Sequence, residues 1–460
     1  MSTFTQAPHK LLVIPGPIEV TDEVLYANAH PSVSHTAPDF IPVFGDCIRM
    51  LRDILYTTTA QPFIISGSGT LGWDQVASNL VEPGENALVL NSGYFGDSFS
   101  ECLRIYGANV DEVHAAFGTV ASLSLVEKAL KSRKYKILAF THVDTSTGVL
   151  SDAKAIAEVV QRVSPATLVV CDGVCSVASE EIRMDAWGLD VVLTAIRRQL
   201  SLSDEGCPRD VLLRSWKKWL PIMQAYEKGA PSYFATPPVN LIYAFNESLT
   251  QITKRSPSLE ERFQLHREAS KRIKDTVAEL GLKQLALDPA HAANGMTAVY
   301  FPAGLGAADV LPRLAKRNVL VAGGLHKDAK ERYFRIGHMG VTVTDKQRGD
   351  IDTVITALKE SIAEAKASQN VVENRARYYP ALFPPRACDS HGARQCMSCR
   401  PPSPANTQYR APVAVAARRR DSAFRKRGDR GERTLATPSD AMTSHVQHSC
   451  IMDNLIQGHS

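Results

Sequence analysis

No run in the 460 residues approaches the roughly 18 uninterrupted apolar residues of a membrane span, so no membrane partner is expected. Residues 1–10 lack the basic and apolar regions of a secretory leader, so none is expected there. Cysteine is sparse, with nine in all: five scattered through residues 1–367 and four, Cys388, Cys396, Cys399 and Cys450, near the end. That distribution excludes a disulfide scaffold and reads as reduced thiols. Charge of one sign is also missing from the body. Residues 368–460 hold 13 Arg, 1 Lys and 7 acids, a net +7, which leaves −3 of the formal +4 for residues 1–367. Such a body offers no electrostatic case for a specific nucleic-acid partner.

What is present is ordinary globular usage, 44% hydrophobic and 22% charged, and a chain of this length has room for two or three domains. Short apolar runs at 63–65, 87–90, 136–140, 167–171 and 190–193 read as buried strands. Amphipathic stretches at 125–132, 153–163 and 262–280 read as helices between them, the alternation of an α/β fold with a mixed, mostly parallel sheet. A second, smaller α+β unit follows Ser256. It is expected to hold a long helix from Ser258, a strand at 298–301, a helix at 308–317, strands at 319–321 and 333–336, and a closing helix at 344–367. The expected organisation is an arm at 1–25, a large domain at 26–255, a small C-terminal domain at 256–367 and a disordered tail at 368–460. Cys388, Cys396 and Cys399 with His391 have partial zinc-like spacing, but no second pair completes it, so no metal is expected. The arginine-rich tail also fits translation outside the genuine reading frame.

Chemistry-bearing segments stand at the strand ends. Ser66-Gly67-Ser68-Gly69-Thr70 follows a strand and opens a helical stretch, a turn able to aim backbone N–H groups and two hydroxyls at a phosphate. Gly67, Gly69 and Gly72 come near the dinucleotide pattern without completing it. A nucleotide-binding oxidoreductase would want an acid after the next strand, where Asn91-Ser92-Gly93 stands; it remains the alternative from another class. Asp172 ends the run Val169-Val170-Cys171, where a carboxylate can hold a protonated pyridine nitrogen or simply serve a turn. Tyr94 and Phe95 offer ring faces.

Taken in order, Ile14-Pro15-Gly16-Pro17, the 66–70 turn, Ser92-Gly93-Tyr94-Phe95-Gly96, Asp144-Thr145-Ser146-Thr147-Gly148-Val149, Asp172-Gly173-Val174-Cys175-Ser176, Tyr233-Phe234-Ala235-Thr236-Pro237-Pro238 and Phe334-Arg335-Ile336-Gly337 resemble a class V aminotransferase. This is a fold-type I pyridoxal 5'-phosphate family, and the likeness is to its fungal alanine–glyoxylate (serine–pyruvate) members. The resemblance implies that Ser68, Gly69 and Thr70 hold the cofactor phosphate, with Thr70 in place of a His found in some relatives. It implies that Phe95 stacks on the pyridine, that Ser146 with Thr145 lies near the cofactor hydroxyl, that Asp172 pairs with the ring nitrogen and that Val174 packs below it. Tyr233 and Thr236 match residues that reach the neighbouring subunit's phosphate, so a homodimer is implied. Arg335 matches the arginine that clamps the substrate carboxylate. The implied substrates are small amino acids and 2-oxo acids, and the implied compartment is peroxisomal or cytosolic.

One segment departs. Relatives follow the strand corresponding to 190–195 with Ser-Gln-Lys and a Gly/Pro-rich loop, whereas this chain continues Ile196-Arg197-Arg198-Gln199-Leu200. Arg198 therefore stands at the Schiff-base position. A guanidinium with a pKa above about 12 cannot replace an amine that must lose its charge. Family pattern returns at Ser215-Trp216-Lys217-Lys218-Trp219. Residues 196–213 are thus expected to pack poorly beside the site and turnover to be impaired, while Lys217 and Lys218 read as an exposed helix start. The alternative within this reading is a non-catalytic cofactor-binding or dimerising homologue.

Overall fold

In a computed structural model of the chain, residues 5–194, 199–202 and 214–378 are described, with backbone alone for 199–202 and 372–378. The chain divides into two compact units, Met1–Pro385 and Arg386–Ser460, and the second lies outside the described residues, as do the tail's cysteines and most of the segment 196–213.

The main sheet has seven strands: β1 Gln61–Ile64, β2 Asn86–Asn91, β3 Asn109–His114, β4 Ile137–Thr141, β5 Leu168–Asp172, β6 Val191–Thr194 and β7 Gln199–Leu202. Their spatial order is β1-β7-β6-β5-β4-β2-β3. The β2–β3, β2–β4, β4–β5 and β5–β6 pairs are parallel, and β7 runs antiparallel to both β1 and β6. The sheet is not interrupted before residue 195: Thr194 of β6 pairs with Gln199 of β7.

The apolar runs lack polar alternation because both faces of this sheet are covered. Successive side chains go to opposite faces, and the two cores divide accordingly. Ala87, Val89, Ala139, Val170 and Val191 join one core with helices Phe40–Leu55, Gly69–Leu80 and Trp216–Glu227. Their neighbours Leu88, Leu90, Leu138, Phe140, Val169 and Val192 join the other, under helices Leu123–Ser132 and Ala153–Val163.

A third core gathers Val13, Ile273, Val277, Val299, Phe334, Ile336 and Leu358. Its sheet is antiparallel, with β8 Met296–Tyr300 and β9 Ala322–Gly323 flanking β10 Tyr333–Gly337. The long helix Leu259–Glu279 starts where expected because Ser258 and Glu261 form a capping box: the Ser258 hydroxyl accepts the Glu261 N–H and the Glu261 carboxylate accepts the Ser258 N–H.

Two expectations are corrected here. The strand expected at 319–321 is two short pairings, Val319–Leu320 with Leu11–Leu12 and Ala322–Gly323 with β10. The closing helix expected at 344–367 begins only at Asp350, after a short helix Val341–Thr344 and a turn Lys346–Arg348, and it runs to Tyr378. Gly349 at φ +66° separates turn from helix, and residues 368–378 contain neither Gly nor Pro to stop it. No described helix is long and apolar enough to cross a membrane.

Candidate active site

Six of the seven main strands point the same way, so their C-terminal ends share one rim, where α/β sheets bind ligands. Asp172 ends β5 there. Its carboxylate is buried, with Oδ2 accepting the Trp73 Nε1–H at 2.8 Å and Oδ1 accepting the Val174 N–H at 3.0 Å. Burial pushes its pKa up to about 6, with the charge of Asp144 adding to the rise and the two donors opposing it. Trp73 is itself fixed by stacking on Phe99, with centroids 5.5 Å apart.

Trp73 belongs to helix Gly69–Leu80, which brings the 66–70 turn to Asp172. A Cβ on Gly69 would lie 3.4 Å from both methyls of Val174, so the two turns meet there. Ser68 is the N-cap of that helix, yet its hydroxyl makes no capping bond; it lies 2.5 Å from the Thr70 hydroxyl, and both residues are exposed. Helix-start amides beside two exposed hydroxyls that bond only to each other make a ready anion cradle.

The 92–96 and 144–148 turns lock together on the other side. A Cβ on Gly93 would fall 2.5 Å from Ser146 Oγ and 2.6 Å from Asp144 Oδ1, so only glycine admits this approach. Ser146 donates its hydroxyl to Asp144 Oδ1 at 2.5 Å and accepts the Tyr94 N–H at 3.0 Å. Asp144 is fully buried, which raises its pKa against the pull of the Ser146 hydroxyl and amide and the Gly96 and Phe95 amides. Ser146 is therefore committed to holding the two turns together. The neighbouring residue, half-buried Thr145, sets its side chain in a hydrogen bond with the Cys175 thiol. Phe95 is half-buried, its ring tilted 64° to Trp73 at 6.2 Å.

Arg335 enters from β10 and is buried. Its Nε donates to the Gly323 carbonyl at 2.8 Å and its Nη1 to the Thr145 carbonyl at 3.1 Å; burial lowers its pKa without threatening its charge. Sequence reasoning gave no role to Cys175, which sits among Thr145, Asp144, Arg335 and Asp172 with its sulfur 3.7 Å from that of Met296. Burial pushes this thiol up to about 12, so it is a small apolar wall rather than a nucleophile. Its position three residues past Asp172 on the same turn was the available signal.

Tyr233 and Thr236 are exposed, Tyr233 lying against His35 at 5.1 Å, and among the described residues neither bonds to the 66–70 turn of the same chain. Lys217 and Lys218 are exposed on helix Trp216–Glu227, with the Lys218 ammonium 5.9 Å over the Phe234 ring. Arg198 lies outside the described residues.

An open, mostly parallel sheet carrying a strand-end aspartate, a helix-start anion cradle and a buried arginine from a second sheet is the arrangement of fold-type I transferases. Comparison with known proteins agrees. Residues 18–199 match the family described as aminotransferase class-V. Alanine–glyoxylate aminotransferase 1 of Saccharomyces cerevisiae is 40% identical over 363 residues, covering 73% of this chain and 93% of that protein. Serine–glyoxylate aminotransferase of Arabidopsis thaliana is 27% identical, covering 72% of this chain and 85% of that protein. Among solved structures, an alanine–glyoxylate aminotransferase from a Nostoc species superposes with a TM-score of 0.70 at 26% identity, covering 79% of this chain and 97% of that one. The chain belongs to the class V aminotransferase family, a pyridoxal-phosphate-dependent family. That membership displaces the oxidoreductase alternative.

Proposed function

We propose that this chain is built on the site of an alanine–glyoxylate aminotransferase of the serine–pyruvate type, which moves an amino group from alanine or serine to glyoxylate and yields glycine, and that its own turnover is low or nil. The observation that carries the reading is the meeting of a buried carboxylate, Asp172, and a buried guanidinium, Arg335, around Cys175 and the 144–148 turn. Pyridoxal 5'-phosphate, when bound, supplies the electron sink for such a transfer.

The residues present fit that group. Asp172, ionised above pH about 6 and aimed by Trp73 and Val174, can hold a proton at a ring nitrogen. The Gly69 and Thr70 amides with the Ser68 and Thr70 hydroxyls can hold its phosphate, Phe95 can cover one ring face and Val174 the other, and Thr145 can bond the ring hydroxyl. Arg335 has donors beyond its two bonds and would clamp a substrate carboxylate in bidentate fashion. Tyr233 and Thr236, exposed here, would complete a neighbour's phosphate site in a homodimer.

The domain limits form part of the proposal: an arm at 1–25, a cofactor domain at 26–255 and a small domain from 256, located in the peroxisome or cytosol. The third core, confined to Val13 and residues 269–365, supports the division near 255.

Low turnover follows from Arg198. It keeps its proton and so can neither act as an amine nor carry a proton between substrate and cofactor, a role worth about 10²–10⁴-fold in rate. Borohydride reduction with peptide mapping, run beside a glycine assay and a cofactor-binding titration, tests the reading. The expected result is cofactor uptake with no pyridoxyl-lysine and no glycine, and gain of both in an Arg198→Lys chain given a family-like loop. A pyridoxyl group on any lysine of the unaltered chain, with glycine formed, overturns the low-turnover claim; no cofactor uptake overturns the site.

A further inference from the structure

Helix Leu259–Glu279 carries a polar stripe that does not face water. Arg262, His266, Ser270 and Lys274 recur at intervals of four, which places them on one side of the helix. His266 Nδ1 lies 2.7 Å from the Arg262 carbonyl and its Nε2 accepts the Gly340 N–H at 3.2 Å; the Ser270 hydroxyl donates to the Ala293 carbonyl at 3.4 Å. Lys274 donates to the Ala292 and Ala293 carbonyls, and the Glu180 carboxylate supports its charge.

Arg262 has no such counter-charge. It is 9% exposed, and its guanidinium donates to the Pro257 carbonyl at 3.1 Å, to the Gln251 carbonyl at 2.5 Å and to the Thr344 hydroxyl at 3.4 Å. None of these partners is charged, and among the described residues it makes no ion pair. Two of its five N–H donors remain, and an unpaired buried charge is costly. The guanidinium stands in the wall of a cleft of about 510 Å³, bounded by residues 16–24, 174–179, 248–266 and 339–345 and by Thr194 at the end of β6. Ser68, Phe95, Asp172 and Arg335 do not line it.

We propose that this cleft is a binding site for a small monocarboxylate, whose carboxylate completes the coordination of Arg262. A volume of this size suits a small molecule. One uncompensated positive charge matches one negative charge, and a bidentate carboxylate uses the two donors left over. Glu23 and Asp345 also stand in the walls, and the further arginine there, Arg255, is already paired with Glu247, so a second negative charge finds no free cation and a dianion is disfavoured. Glu19 does not compete for Arg262, because Arg348 and His9 already engage it. The cleft shares the 174–179 turn with the Asp172 site, so the two are neighbours with separate arginines.

The test is calorimetric titration of acetate into the full-length chain carrying Arg335→Gln, which silences the other guanidinium. The expected result is one acetate bound per chain, and binding of inorganic phosphate at least tenfold weaker. Adding Arg262→Gln weakens acetate binding at least tenfold. Adding Ser248→Phe instead, which sets a ring into the cleft one helical turn from Gln251, the carbonyl partner of Arg262, without removing a hydrogen bond seen in the structure, does the same and decides the matter should the Arg262 variant not fold. Absence of acetate binding in the Arg335→Gln chain, acetate binding left unchanged by the Ser248→Phe ring, or phosphate bound as tightly as acetate overturns the proposal.

Discussion

Tyr333 gives its phenolic proton to the Ser146 carbonyl at 2.6 Å and accepts the Leu325 and His326 N–H groups at 3.0 Å each. Two residues along β10, on the same face, Arg335 takes the adjacent Thr145 carbonyl. Alternate side chains of one strand thus grip successive carbonyls of one turn, and the orientation of the arginine is set by the tyrosine as well as by its own bonds.

Removal of that phenol in Tyr333→Phe leaves one carbonyl and two N–H groups without a partner at a position 0% exposed. Such a loss costs roughly 1–3 kcal/mol. Urea unfolding is expected to show that loss, together with weaker carboxylate binding at Arg335 measured by calorimetry. An unchanged unfolding midpoint would remove the tyrosine from this role.

Asp172 has a definite pH signature. Its folded pKa of about 6 lies above the ordinary value of 3.8, so the folded chain holds the proton through the window between them. Stability therefore falls as pH rises across that window, and the full cost is present above it. A shift of this size corresponds to roughly 3 kcal/mol at most. Asp172→Asn is expected to be the more stable chain at pH 7 without cofactor, the gap closing toward pH 4, while its cofactor affinity drops. An Asn variant equally destabilised at both pH values refutes this account of the buried charge.

Gly93 tests the joint between the turns. A methyl there meets Ser146 Oγ and the Asp144 carboxylate at less than 3 Å, an overpacking that costs roughly 1–3 kcal/mol. Gly93→Ala is expected to lower the thermal midpoint, whereas Gly229→Ala, at a positive φ of 75° but with open space around it, should cost only the backbone strain. Equal effects of the two would show that the close approach is unimportant.

The end of the folded body lies past Ala367. Ser368 accepts from Arg313 Nη2 at 3.0 Å, and the Gln369 amide lies against Gly304. A chain ending at Tyr378 is expected to keep the midpoint of the full chain, and one ending at Ala367 to melt earlier. If the Tyr378 chain also melts earlier, later residues contribute to the fold.

The main sheet was legible because each buried strand is a short aliphatic run, and the runs end within one or two residues of β2, β4, β5 and β6. The pairing of Leu11–Leu12 with Val319–Leu320 was not, since two-residue strands carry no period and their partner lies far along the chain. Asp172 stood out by ending an apolar run. That the Ser146 hydroxyl is taken up in joining two turns was unreadable, because it depends on Gly93 approaching from another strand. The stripe from Arg262 to Lys274 was hidden for a related reason: amphipathic periodicity assigns a polar face to water, and here it is turned inward.

The common rim of the parallel strands has a consequence for how such a site decays. Each functional turn, 66–70, 92–96, 144–148 and 172–175, arrives at the end of its own strand, so the contributions are wired in parallel and not in series. A change confined to the connection after β6 would leave the other four turns on their anchors. A lineage can thus lose the chemistry at one stroke and keep the receptor, and the surviving pocket would then be open to selection for binding alone.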